Sequence, residues 1–578
     1  MQRILLVAAA ALCFGQALAQ GLGGKPLSPA AVVGKRMFFD KHLSGSGQIA
    51  CSTCHDPDHA YGPPNGLAVQ PGGEKLTEHG TRAVPSLRYQ EFTPAYSDLL
   101  DNPDGVSKPG PGGGLTLDGR APTLAAQSGI PLLAGNEMAN RSEADVAQKI
   151  AQSDYASLFR AAFGEDIFAS PKGAFLEAGE ALQAFQLEDL SFHPYTSQYD
   201  RLAANKLGGT LTPAEQRGFA VFTNPQLGNC FACHYNGPGL GGSIALFTDF
   251  TYSAVGVPRN PEIPANTKKG YYDMGICSRQ DHPLPDNARY CGMFKTPTLR
   301  NVASRQVFFH NGRFKSLHDV IRFYNTRDTN PERWYPTVHG VPQKFDDLPK
   351  EYQANIDTQM PLDGRARGSA PPMTEQEMED LAAFLGTLTD DDVSQWQALK
   401  KYLDAQGHVC VGKFDWPIDV SQQDFQHNAR DAVQLPVLEK LGLVTSTVTS
   451  AQRVVGDGGA TETIPVKRYE LTQAGRKSYV DKDITTRGPG AAPIEHHKDL
   501  CAAKLTLDKI VRFDESLSVA GVRQGTILYT YHVTAMPWRG RCPRTRRKSF
   551  PWSLGSSRAR APCNSSSECS SEQAGGPH

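Results

Sequence analysis

The chain has 578 residues, 39% of them hydrophobic, and its 59 Lys and Arg against 60 Asp and Glu leave a formal charge of -1 at pH 7. That length exceeds what one hydrophobic core usually organises, so two or three globular domains are expected. The balanced charge excludes a whole-molecule electrostatic footprint for nucleic acid or an anionic membrane surface, and partners have to be argued from sites.

In chain order, the first element is Arg3, the apolar run Ile4 to Phe14, and Ala17-Leu18-Ala19 before Gln20. A basic start, an apolar stretch too short to span a bilayer and small residues at its end predict a signal peptide over 1–19 and a soluble periplasmic mature protein. No later stretch of about 20 apolar residues offers a transmembrane segment. Ser28-Pro29 opens a helical pattern through Phe39, with an N-cap Ser and Pro at the first helical position. It leads into Cys51-Ser52-Thr53-Cys54-His55. The plan repeats downstream, where Thr212-Pro213-Ala214-Glu215 reads as a capping box, with Phe219, Val221 and Phe222 before Cys230-Phe231-Ala232-Cys233-His234.

Cys-X-X-Cys-His is a haem-attachment signature. Two thiols three apart on one helical turn can add to the two vinyl groups of a haem, and the His that follows falls under the iron. A zinc or redox motif would instead ask for a cytosolic setting and a second Cys pair or a thioredoxin-like context. Two covalently bound haem c groups are therefore expected, held by Cys51 and Cys54 and by Cys230 and Cys233, with His55 and His234 as proximal iron ligands.

Gly- and Pro-rich segments such as Lys108 to Gly114 predict irregular loops rather than sheet between the two motifs. Cys277 and Cys291 flank a polar loop and are a candidate disulfide. Thr374 to Leu388, with Met378, Leu381, Phe384 and Leu385 on one face, reads as the helix that closes the second haem unit near Asp390. From about Gln397 the pattern changes to a helical run ending at Gly442 and strand-like runs around Tyr469-Glu470-Leu471-Thr472 and Thr526 to Val533. This order resembles a winged helix, whose usual use is DNA binding, a partner that export makes implausible. Cys410 and Cys501 lie within it, either as a staple or as two buried thiols.

The expected fold is mainly α: a signal peptide (1–19), two tandem cytochrome c-like haem domains (20–205 and 206–395), a small α+β, winged-helix-like appendage (396–538) and a disordered Arg- and Ser-rich tail (539–578) with Cys542, Cys563 and Cys569.

The segments GKRMFFDKHLSGSGQIACSTCHDPDHAYG, LDGRAPTLAAQSGIPLLAGNEM and FKTPTLRNVASRQVFFHNGRFKSLHDVIRFYN, in that order around the two signatures, resemble the bacterial di-haem cytochrome c peroxidases and the methylamine-utilisation MauG proteins. The resemblance covers roughly Leu27 to Asp390. It implies that the N-terminal haem cleaves hydrogen peroxide and the C-terminal haem passes electrons from outside. It also implies that Gln127, Pro131 and Glu137 stand over the peroxidatic haem. A carboxylate there can relay the proton that peroxide cleavage needs, an uncharged amide can hold the peroxide, and a proline can limit the pocket. For Glu137 the bland alternative is a solvated surface acid. Arg120 is either a haem-propionate partner or a surface cation. His79 stands near the place of a displaceable distal His, with spacing that does not align cleanly.

Three departures from the family pattern stand out. Leu117 replaces the Trp expected between the haems, ten residues before Gln127, so inter-haem electron transfer needs another route. Ala83 replaces the Asn expected near an inter-haem calcium, which makes calcium doubtful. Phe309 replaces the Met that ligates the second haem, leaving that iron open or bound by His310, Met293 or Met274; loss of an axial Met lowers a haem potential.

The leading expectation is a periplasmic di-haem peroxidase whose partners are hydrogen peroxide and a small donor, a cytochrome c or blue-copper protein. The alternatives are a MauG-like oxidase of a protein or organic substrate, a non-enzymatic di-haem electron carrier, and a dioxygenase related to rubber-cleaving enzymes. A pure carrier has no need of the Gln127, Pro131 and Glu137 set.

Overall fold

The computed structural model describes residues 26–535 apart from 106, 207, 239–243, 280–286, 456–459, 487–492 and 518–522. The signal peptide expected over 1–19 and the tail expected over 539–578 lie outside the described residues. Those residues form two compact units that part between Ser394 and Gln395.

The first unit is mainly helical. Its helices are α1 (Pro29–Phe39), α2 (Cys51–Cys54), α3 (Leu124–Leu133), α4 (Glu143–Gln152), α5 (Ala156–Phe163), α6 (Pro171–Glu188), α7 (Gln198–Ala203), α8 (Pro213–Thr223), α9 (Leu317–Thr326) and α10 (Glu375–Gly386). The starts follow local chemistry. Ser28 Oγ accepts from the Ala31 amide at 3.2 Å ahead of α1. Thr212 and Glu215 close a reciprocal capping box on α8, and Thr374 and Glu377 do the same on α10. Each box satisfies amides that the first helical turn leaves without partners.

Two apolar cores form. Val33, Met37 and Phe38 of α1 meet Ala178, Leu182 and Phe185 of α6 in the first. In the second, Val221 and Phe222 of α8 meet Leu381 and Phe384 of α10. One device serves both crossings. A Cβ on Gly34 would lie 1.9 Å from the Ala181 carbonyl oxygen, and a Cβ on Gly218 would lie 1.9 Å from the Asp380 carbonyl oxygen. Glycine lets α1 touch α6 and α8 touch α10 backbone to backbone, so each motif follows a helix that is locked against a later helix of its half.

Helices α3 to α8 lie between the motifs, and the connecting segments, where the sequence predicts loops rather than sheet, hold two short strand pairs; the first is Pro71–Gly72 with Glu78–His79. In the second, Gly110–Gly112 pairs antiparallel with Ser97–Leu100. The Leu100 side chain packs where a Cβ on Gly112 would sit, 2.5 Å from its Cδ2, so the missing side chain permits the pairing. Two further strands matter for the site: β1 (Tyr252–Ser253) pairs antiparallel with β2 (Phe294–Lys295). Cys277 and Cys291 are disulfide-bonded.

The chain leaves this unit along α11 (Asp391–Gln406). The second unit is α+β. Its strands are β3 (His408–Cys410), β4 (Ile418–Ser421), β5 (Val444–Val455), β6 (Ala460–Leu471), β7 (Tyr479–Thr486), β8 (Ile494–Leu517) and β9 (Arg523–Ala535). One antiparallel sheet has the order β4-β6-β5; the other has β7-β8-β9, with β3 also paired to β8. Helix α12 (Arg430–Lys440) contributes Leu435 and Leu438 to a core with Val420, Leu443, Tyr469 and Leu500. Cys410 and Cys501 are disulfide-bonded.

Candidate functional site

Both Cys-X-X-Cys-His motifs open onto one cavity of about 790 Å³ in the first unit. The His55 amide donates to the Cys51 carbonyl at 2.9 Å and the His234 amide to the Cys230 carbonyl at 2.8 Å, which folds each imidazole back over its own turn. His55 Nδ1 lies 3.0 Å from the Tyr61 carbonyl, and His234 Nδ1 lies 3.0 Å from the Phe247 carbonyl. A carbonyl only accepts, so Nδ1 carries the proton in both rings and the Nε2 lone pair is free. Burial pushes both imidazoles down to about 4, so they are neutral at pH 7. Neutral imidazole with Nδ1 tied to a carbonyl is the form that binds iron.

The cavity wall includes Phe38, Leu124, Val302, Phe309, Ile321 and Leu385, together with two cations, Arg305 and Lys295. Arg305 donates through Nε to the Val307 carbonyl at 3.2 Å and through Nη2 to the Val84 carbonyl at 3.0 Å. Lys295 Nζ donates to the Gly114 carbonyl. Among the described residues no carboxylate forms an ion pair with either. Both side chains are half-buried and line the cavity, and burial pushes Arg305 down to about 10 and Lys295 down to about 8, with Asp118 partly opposing the latter. A buried cation without an acid is costly unless an anion joins it. An apolar cavity with four thiols, two free Nε2 atoms and two such cations fits haem with its propionates, so these residues would hold the two groups.

Helix α3 presents Gln127 and Pro131 four residues apart, hence on one face, and both line the cavity with Glu137 just beyond the helix. Pro131 has no N–H to return to the Gln127 carbonyl. The Glu137 backbone is pinned on both sides. Its amide donates to the Ala134 carbonyl at 3.0 Å, and its carbonyl accepts from the Gly73 amide at 2.8 Å. A Cβ on neighbouring Gly72 would fall 2.3 Å from the Asn136 carbonyl oxygen, so that loop approaches only because Gly72 lacks one. The Glu137 side chain is exposed by area but faces the cavity, and burial among protein atoms raises its carboxyl, opposed by Arg120.

Arg120 also lines the cavity, with 40% of its side chain exposed, and its Nη1 donates to both Asp118 oxygens at 2.9 and 2.7 Å. His310 stacks flat on Phe294, with centroids 3.7 Å apart and planes 7° apart. Its Nε2 lies 3.5 Å from an Asp347 oxygen, which directs that nitrogen to a carboxylate. Phe309 packs among Phe314, Phe323 and Tyr324 at 5.3 to 5.8 Å between centroids. Met274 and Met293 both pack on the cluster of Ala254, Leu348 and Ile356, and Met274 also lines the cavity. His79 is exposed in a two-residue strand, away from the cavity wall. The Leu117 carbonyl accepts from the Lys295 amide at 2.9 Å, and the buried Ala83 donates its amide to the His310 carbonyl at 2.7 Å.

Sequence reasoning missed Arg305, Lys295 and Tyr324. Nothing local marks the two cations, because their burial comes from segments far apart in the chain. Tyr324 was findable: Leu317, Val320, Ile321 and Tyr324 follow helical spacing, and all four line the cavity beside the second motif.

The description "Di-haem cytochrome c peroxidase" matches residues 28–207. The methylamine utilization protein MauG of Paracoccus denitrificans (strain Pd 1222) is 34% identical over 375 residues, which cover 62% of this chain and 88% of that protein. The chain belongs to the di-haem cytochrome c peroxidase and MauG family. Cytochrome c551 peroxidase of Nitrosomonas europaea is 27% identical over 305 residues, covering 52% of this chain and 74% of the relative. The crystal structure of the diheme peroxidase BthA from Burkholderia thailandensis E264 superposes with a TM-score of 0.58 and 38% identity, covering 64% of this chain and 88% of that one. This family member is thus a di-haem peroxidase-type oxidoreductase with haem c as cofactor, and among its described residues no helix is long and apolar enough to cross a membrane.

Proposed function

We propose that this protein reduces hydrogen peroxide at the N-terminal haem site, drawing electrons through the C-terminal haem site from a small periplasmic cytochrome c or blue-copper donor. In this reading residues 20–205 carry the peroxidatic site and 206–395 the electron-transfer site. One peroxide, two electrons and two protons give two waters.

The observation that carries the proposal is the placement of Gln127, Pro131 and Glu137 on the wall of the cavity that His55 also lines. Haem, when bound, supplies the redox chemistry that breaks the O–O bond. Glu137 moves the proton: as carboxylate it takes one from the oxygen nearer the haem and returns it to the departing oxygen. Its pinned backbone fixes where that carboxylate reaches. Gln127 donates an uncharged hydrogen bond to the peroxide, and the Pro131 ring limits the room beside it.

Stopped-flow absorbance of the haem-loaded protein, fully oxidised and half-reduced, mixed with stoichiometric peroxide, tests this. Rapid reaction is expected in at least one state, and Glu137→Gln slows it by roughly a hundredfold to ten-thousandfold, the usual worth of a positioned acid–base group. Because burial raises the Glu137 carboxyl, its ionised form disappears on acidification at a higher pH than an ordinary carboxylate would. The rate therefore falls towards acid through that raised value, and Glu137→Gln removes this limb. No reaction in either state overturns the proposal in favour of an electron carrier or an oxygenase.

A further inference from the structure

Tyr89 lines the haem cavity and is only 2% exposed. Its hydroxyl donates to Asp390, 2.7 Å from each carboxylate oxygen, and accepts from the Tyr195 amide at 3.3 Å. Asp390 is fully buried and is also held by Arg88 Nη1 at 2.9 Å, Asn301 Nδ2 at 2.6 Å and the Thr196 amide at 3.3 Å. The Tyr195 ring packs against Tyr89, with centroids 4.8 Å apart. Tyr195 is half-buried, away from the cavity wall, and its hydroxyl donates to half-buried Glu91 at 2.8 Å. The Arg300 guanidinium sits over both rings, 4.8 Å from the Tyr89 centroid and 4.7 Å from that of Tyr195.

This arrangement suits transport of oxidising equivalents. A phenol gives up an electron readily only if its proton leaves at the same time, and a hydrogen-bonded carboxylate is there to take it. Arg300 strengthens the requirement, since a cation over both faces disfavours a positively charged oxidised ring and enforces proton loss. Burial, with Asp390 and Glu91, raises both phenols, so each keeps its proton in the resting protein. The ring contact brings the two π systems to van der Waals distance without intervening chain.

We propose that Tyr89 and Tyr195 form a two-step relay carrying oxidising equivalents from the haem cavity towards the surface. This rests on the peroxidase reading, which supplies hydrogen peroxide as the oxidant. In the first step Tyr89 loses one electron to the oxidised haem site, and its hydroxyl proton passes to Asp390. In the second, Tyr195 gives one electron to the Tyr89 radical and its own proton to Glu91, while Asp390 returns the first proton to Tyr89. A one-electron donor at the surface then restores Tyr195, which recovers its proton from Glu91. The pair matters in this chain because Leu117, on the cavity wall, occupies the position where the family resemblance implies an aromatic residue for electron transfer between the haems.

The test is freeze-quench EPR of the haem-loaded full-length protein, grown with ring-deuterated or ordinary tyrosine and mixed with one equivalent of hydrogen peroxide, with haem absorbance followed in parallel. The expected result is an organic radical whose line narrows with deuterated tyrosine and which is lost in Tyr89→Phe. In Tyr195→Phe the tyrosine signal persists on Tyr89 and decays more slowly. Phe keeps the ring packing, and Asp390 keeps three donors, so the resting haem spectrum of Tyr89→Phe should be unchanged. Haem oxidation without a tyrosine signal, or with the same signal in Tyr89→Phe, overturns the relay alone; no haem change on adding peroxide overturns the peroxidase reading and the relay with it.

Discussion

Arg82 holds two acids at once. Its Nη1 donates to Asp118 at 2.7 Å, while its Nε and Nη2 form a fork on Asp273 at 2.6 and 2.7 Å. Asp118 precedes α3 and Asp273 lies beyond the second motif, so this one guanidinium links the chain ahead of Gln127, Pro131 and Glu137 to the half that carries the other haem motif. Burial alone would raise the Asp118 carboxyl, but Arg82, the Thr116 hydroxyl and Arg120 outweigh it and hold it at about 2. A carboxyl lowered on folding contributes stability that is fully present above its unfolded value near 3.8 and is lost as the pH falls through about 2. At 1.36 kcal/mol per pH unit the contribution is about 2 kcal/mol. Asp118→Asn should therefore be less stable than the parent by about that amount at neutral pH. The gap should close between about pH 4 and pH 2. Urea unfolding followed by far-UV circular dichroism across that range checks it; a gap that persists unchanged at the acid end would show that the carboxylate's charge is not what stabilises.

At the scale of elements, Gly34 in α1 and Gly218 in α8 make equivalent crossings. Neither glycine has a positive φ, so their role is space rather than backbone freedom. Gly218→Ala puts a methyl against the Asp380 carbonyl and the Phe384 Cβ, and the helices must separate. Overpacking of this kind typically costs 1–3 kcal/mol, and here it should also lower the yield of protein with the second haem attached, because α8 leads into Cys230. The ratio of haem to protein in purified Gly218→Ala measures this; full loading at unchanged stability would mean that α8 does not position the motif. These elements also show what the sequence makes legible. Ser28, Thr212 and Thr374 with their partners three residues on mark helix starts through chemistry confined to one turn, and the structure uses all three. The apolar face of 374–388 marks α10 in the same way, and the repeated motif marks both attachment turns. Less legible was what depends on residues distant in sequence. The pairing of Ser97–Leu100 with Gly110–Gly112 needs Gly112 to admit Leu100, and Arg305 and Lys295 look like surface cations until distant segments bury them. Beyond residue 396 the sequence suggested a winged-helix-like order, whereas the two antiparallel sheets observed there depend on register across a long β8 that no local pattern marks.

On the scale of the whole molecule, the two units are held in different ways. The first unit has two extended cores and the cavity; the second has a small core beside sheets whose long strands carry exposed apolar residues such as Val448 and Val454. A small core supplies modest stability, and cross-links commonly supplement it. Cys410 and Cys501 join β3 to β8 as direct register partners, 91 residues apart in sequence. On the chain-entropy account, closing a loop of that length in the unfolded chain stabilises the folded unit by about 4–5 kcal/mol, against about 3 kcal/mol for a loop of 14 residues such as that between Cys277 and Cys291. A sum of that size is comparable with the whole stability of an ordinary domain. The double variant Cys410→Ser, Cys501→Ser should therefore unfold its second unit at much lower denaturant, while haem absorbance and peroxide reactivity of the first unit follow the parent's curve. Trp416 lies in the second unit and packs on its core, so fluorescence reports that transition alongside haem absorbance from the first. Two separated transitions in the variant would establish that the units are energetically independent; a single transition shifted for both signals would show that the first unit draws stability from the second, and residues from 395 onward would then belong to the working peroxidase.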